Sequence, residues 1–139
     1  MRLARLLTGE THGVFRSVGT LDTEHEADRA GWRHVVLDSA AARDRDEFLE
    51  CCADAFDLPI SVVGTWEGLD ACLRGLDLTD PEGLLVVWQG WAPLAETDPD
   101  AFDCALEVFR DACVAWHDDE VPGAVLLVGD GPDTDLPEL

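Results

Sequence analysis

Basic side chains are what this sequence has least of. Nine Lys and Arg stand against 30 Asp and Glu, a formal net charge of −21. That deficit argues against nucleic acid or an anionic membrane as ligand, because both are held through Lys and Arg meeting phosphate. Long apolar runs are missing as well. Nothing approaches the roughly 18 residues of a membrane-spanning helix, and the apolar stretch inside MRLARLLTGETHGVF is too short for a signal peptide. The expectation is a cytoplasmic protein. Ser17, Ser39 and Ser61 all lie outside any Gly-x-Ser-x-Gly elbow, which disfavours serine hydrolysis. Gly64 stands alone before Thr65 with nothing basic beside it, so no phosphate cradle opens that helix. His12, His25, His34 and His117 form no i, i+4 pair, and DGPDTD near the C-terminus lacks the distal glutamate of a calcium loop. Neither a metal nor a cofactor is expected. There is no Cys-x-x-Cys: Cys51, Cys52, Cys72, Cys104 and Cys113 are odd in number, sit in helical patterns, and read as buried thiols of a reducing compartment. Carboxylates are so numerous that nearness in sequence singles out no acid–base pair, and the chain is read as a non-enzyme.

What is present suits a folded protein. A chain of 139 residues with 47% hydrophobic content can fill one core, so a single domain is expected over 1–139. A marginal helix is read over 2–8, a short or edge strand in GVFRSV (13–18), and a short helix over 24–30 behind a Thr23/Glu26 capping box. RHVVLD (33–38), the first half of LLVVWQGW (84–91) and AVLLV (124–128) are continuous apolar runs, the mark of strands covered on both faces. Between them lie helical patterns. Asp44 with Glu47 opens one whose Phe48, Leu49, Cys52, Ala55 and Phe56 share a face, and Pro59 ends it. Thr65 caps a second, with Trp66, Leu69, Cys72, Leu73 and Leu76 inward. Asp98 and Pro99 open the longest, striped by Phe102, Ala105, Leu106, Phe109, Ala112, Cys113 and Trp116. Apolar strands alternating with helices imply an α/β fold around a small three-stranded parallel sheet with right-handed crossovers. Residues 1–30 read as an N-terminal extension and 129–139 as a frayed acidic tail.

In this order, GWRHVVLDS, DEFLECCADAFDLP, TWEGLDACLRGLDL, LLVVWQGW, FDCALEVFRDAC and AVLLV resemble the barstar family of intracellular ribonuclease inhibitors. The resemblance covers roughly 31–128, and the segment before it is similar to extensions of actinobacterial members. Its most specific part is the second helix, where Pro59, Trp66, Leu69, Cys72 and Leu73 match the family pattern. The resemblance implies a barstar-like core over 31–128. It also implies an inhibitory face made of the 66–76 helix and its preceding loop, with Ser61, Val63, Thr65, Trp66, Glu67, Asp70, Ala71 and Arg74, together with Asp111 of the long helix. Two departures stand out. The loop has Ser61, Val62 and Val63 where the family has an aromatic and a glycine, and the second acid of the helix, which in family inhibitors fills the enzyme's phosphate site, is Ala71 here.

The implied partner is a basic protein, a secreted-type ribonuclease or nuclease toxin. Physics agrees, since a cationic active site built for phosphates also attracts carboxylates, and a strongly acidic protein accelerates the encounter. The alternative is a barstar-like scaffold turned to another basic protein, with no nuclease inhibition.

Overall fold

The computed structural model describes residues 13–17, 23–59, 64–75, 83–129, 131, 132 and 136. The helix read over 2–8 and the side chains of the Thr23/Glu26 box lie outside them. The elements run β1 (Gly13–Ser17), α1 (Thr23–Ala30), β2 (Arg33–Asp38), α2 (Arg45–Phe56), α3 (Trp66–Arg74), β3 (Leu84–Gln89), α4 (Ala92–Thr97), α5 (Pro99–Asp118) and β4 (Gly123–Val128). Among the described residues the sheet has four strands in the order β1-β4-β3-β2, and every neighbouring pair is parallel. The three apolar runs are therefore parallel as read, but three strands is an undercount. β4 is buried from Gly123 to Leu127, so its outer side needs a hydrogen-bonding partner, and the alternating GVFRS segment supplies one. Val14 points into the larger core, while Phe15 packs on the smaller one on the opposite face.

The strand order explains how the helices divide. The connections β2 to β3 and β3 to β4 step in one direction across the sheet, whereas β1 to β2 steps back over two strands. Right-handed crossovers then put the two sets of helices on opposite faces. On one face α2, α3, α4 and α5 enclose the larger core, with Phe48, Leu69, Leu73, Leu94, Phe109 and Trp116 against Val35, Leu37, Val86, Trp88, Val125 and Leu127. On the other, Ala27 of α1 and Trp32 cover Leu85, Val87, Ala124 and Leu126. Along the row Phe15–Leu126–Val87–Val36 this cover ends at the β2 edge, where Val36 is 44% exposed.

Three helices begin where side-chain acceptors are available. Asp44, Thr65 and Asp98 accept from the N–H groups of Glu47, Gly68 and Ala101 at 2.9, 2.9 and 3.2 Å. α4, unforeseen in the sequence, starts without such a bond. It is held instead by Thr97, whose hydroxyl donates to the Arg43 carbonyl at 2.7 Å. The carboxyl ends of β2 and β3 are joined by buried Ser39, which accepts from the Trp88 indole at 2.7 Å and donates to the Gly90 carbonyl at 3.1 Å. The segment after β4, read as frayed, is held at its described positions. Arg16 of β1 donates to the carbonyls of Pro132 and Gly131 at 3.1 and 3.2 Å and lies over the Trp91 ring at 4.8 Å. Leu136 is buried in the larger core.

Candidate functional site

The helix α3 is pinned at both ends. Thr65 caps its start, and Trp66, half-buried, sets its ring 5.8 Å from Phe48 of α2. Near its other end the buried indole of Trp116 on α5 donates to the Leu73 carbonyl at 2.9 Å. Leu69 and Leu73 are fully buried and Cys72 is half-buried, so rotation about the helix axis is fixed by the core. What remains on the outside follows from the 3.6-residue period. Glu67, Ala71 and Arg74 are exposed, while Gly68 and Asp70 are half-buried.

The charges on this face are not all available. Arg74 Nε lies 3.0 Å from Asp70 Oδ1, an i, i+4 ion pair within the helix. Glu67 sits in the first turn, where the helix dipole favours a carboxylate. Asp111 is exposed on α5, the helix against which α3 packs. Ser61 and Val63 lie outside the described residues. Both members of the Asp70–Arg74 pair belong to the face that the family resemblance implies, but their mutual engagement is not part of that reading, although i, i+4 spacing is the available signal.

Other chemistry finds little support around them. All five cysteines are free thiols, Cys52 and Cys113 buried and the other three half-buried, so only two match the expectation of burial. Cys51 is pushed up by desolvation and then by Asp38, Asp54, Glu47 and Glu50, and Cys52 is raised further by complete burial. Among the described residues no three His, Cys, Asp or Glu side chains are grouped to hold a metal ion, and no helix is long and apolar enough to cross a membrane. An open groove of about 360 Å³ lies on the outer side of α2, lined by Glu50, Ala53, Asp54 and Leu58, none of them a nominated contact residue.

A family model described as Barstar (barnase inhibitor) matches residues 32–128, from the residue before β2 to the end of β4, with α3 inside the span. The chain belongs to the barstar family. The matched span holds β2, α2, α3, β3, α4, α5 and β4, and leaves out β1, α1 and the segment after β4. No curated protein matches. Among solved structures, the Aeropyrum pernix ORC2 protein in its ADPNP–ADP complexes is similar with a TM-score of 0.60 and 18% identity, over 94% of this chain and 40% of that one. Drosophila ORC bound to DNA gives 0.59 and 17%, over 94% and 36%. The chain thus spans well under half the length of either, and at such identity the likeness is one of fold alone.

Proposed function

We propose that this chain is an acidic, protein-binding inhibitor of a basic ribonuclease, engaging it with α3, the loop before it (60–65) and Asp111 of α5. The observation that carries this reading is that the barstar-family match runs through a helix whose capped start and buried stripe turn Glu67 outward. A ribonuclease site gathers cations for phosphate, and an exposed carboxylate on a rigid helix can stand in for that phosphate. The net charge of −21 would speed the encounter. Five unbridged thiols suit action in a reducing compartment. The protein itself performs no catalysis in this account.

One pair of observations favours a second reading. Ala71 offers no carboxylate, and Asp70 is already engaged by Arg74, so α3 brings fewer free acids to a phosphate site than the family pattern does. A barstar scaffold that binds a different basic protein would tolerate both. Inhibition assays on barnase and a panel of other small basic microbial ribonucleases separate the two. The wild type is expected to inhibit at least one, and Glu67→Ala to weaken that inhibition by about 2–5 kcal/mol, mostly through faster dissociation. Ala71→Asp should tighten it. If wild type, Glu67→Ala and Ala71→Asp all leave every enzyme active at micromolar concentration, the inhibitor reading gives way to the second.

A further inference from the structure

Glu67, Ala71 and Arg74 stand at positions i, i+4 and i+7 of α3, one line along the outside of the helix, and all three are exposed. At 1.5 Å rise per residue the backbones of Glu67 and Arg74 are about 10 Å apart along the axis. Between and beside them Gly68, Ala71 and Gly75 carry no long side chain, so a flat surface approaching α3 can reach both ends at once. The ends are of opposite sign. Arg74 is the only basic residue of α3, and it belongs to a chain with 30 acidic and nine basic residues. Its charge therefore runs against the field of the molecule.

The Asp70–Arg74 pair sharpens this. It engages Arg74 through Nε, with the guanidinium side chain 50% exposed and the Asp70 side chain 31% exposed. An arginine has five donors in a planar fork, so Arg74 can hold Asp70 and still meet a second carboxylate from outside. The ion pair aims the fork, and it cancels Asp70 as a free acid. A partner lined by cations alone would be attracted at Glu67 but would offer no acceptor to the guanidinium donors that Asp70 leaves unused, and covering those donors unmatched is costly.

We infer that Arg74 is a specificity-determining contact residue that selects, among basic proteins, one whose docking surface sets an Asp or Glu about 10 Å from the Arg or Lys that meets Glu67. The inference rests on α3 being the contact helix of the proposed function. It narrows the partner from a uniformly cationic site to a mixed-charge one, in which overall basicity drives encounter while a local acid decides retention.

The test measures binding of wild type, Arg74→Ala, Arg74→Lys and Arg74→Glu to barnase and the same panel of basic ribonucleases, by calorimetry at two salt concentrations. Circular dichroism and thermal unfolding check that each exposed substitution leaves the fold intact. For an enzyme bound by the wild type, Arg74→Glu should weaken binding by about 30-fold or more, Arg74→Ala by less, and Arg74→Lys least, since it keeps the charge but loses the fork. Unchanged or tighter binding by Arg74→Ala and Arg74→Glu would overturn the inference while leaving the inhibitor reading standing, because an added acid helps only against a uniformly cationic surface. Failure of the wild type to bind any ribonuclease overturns the inhibitor reading, and the inference falls with it.

Discussion

Cys113 illustrates how far a single side chain can be removed from chemistry by its surroundings. Its thiol is buried between α5 and the sheet edge, within 3.5 Å of the Gly13 carbonyl, and desolvation pushes its pKa to about 12 from an ordinary 9.0. Cys52, fully buried on α2, is raised as well. Neither ionises while folded near neutral pH, so thiol reagents should reach them slowly. The linkage has a definite sign. Below pH 9 the thiols are protonated in both states and cost nothing; above it they ionise only in the unfolded chain, which draws the equilibrium towards unfolding. Between pH 9 and 12 stability should therefore fall with rising pH, at up to about 1.4 kcal/mol per pH unit from Cys113. Urea unfolding at a series of pH values checks this. Cys113→Ala should give a shallower alkaline slope than the wild type, and equal slopes would mean that the buried thiol does not titrate as described.

At the scale of elements, two tight junctions lie where a strand start meets a tryptophan. A Cβ added at Gly83, just before β3, would lie 2.4 Å from the Trp32 ring, and one at Gly123, the first residue of β4, 2.5 Å from that of Trp116. Both rings are buried and cannot simply swing away. Gly83→Ala should force Trp32 off the smaller core and destabilise the protein by about 1–3 kcal/mol, seen as a lower melting temperature and a red-shifted tryptophan emission. A variant as stable as the wild type would show that Trp32 has room to move. Such junctions are invisible in sequence, whereas local signals were legible. α2, α3 and α5 were found because their caps bond to a residue three positions on, within a window that a reader can see. α4 was missed because its six residues have no capping side chain and lean on Arg43, far away in the chain. Pro59 ends the helical pattern in the sequence, and α2 itself ends at Phe56, where Asp57 takes a left-handed conformation at φ 55° and Leu58 N–H closes back onto the Ala53 carbonyl. The candidate contact face, from Glu67 to Arg74, was legible through the resemblance of its helix to the family pattern. The ion pair that ties up Asp70 was not, because spacing allows such a bond without requiring it.

For the molecule as a whole, strand alternation in GVFRS was readable, but its neighbour was not, since pairing β1 with β4 joins parts of the chain that share no local pattern. The same feature bears on time. Arg16 and the carbonyl it grips at Pro132 are 116 positions apart, whereas Ser39 and Gly90, which tie β2 to β3, are 51 apart. Loops must close before distant contacts can repay the lost entropy, so β2 and β3 with α2 and α3 should assemble first and β1 last. Pulse-labelled hydrogen exchange during refolding would show it as late protection of the β1 amides; simultaneous protection of β1 and β3 would contradict it. On a ribosome adding roughly 5–20 residues per second, β1 emerges on the order of ten seconds before its partner strand exists. The newborn chain must carry an unpaired strand through that interval, and Val14 and Phe15 stay uncovered until the last strand has been made.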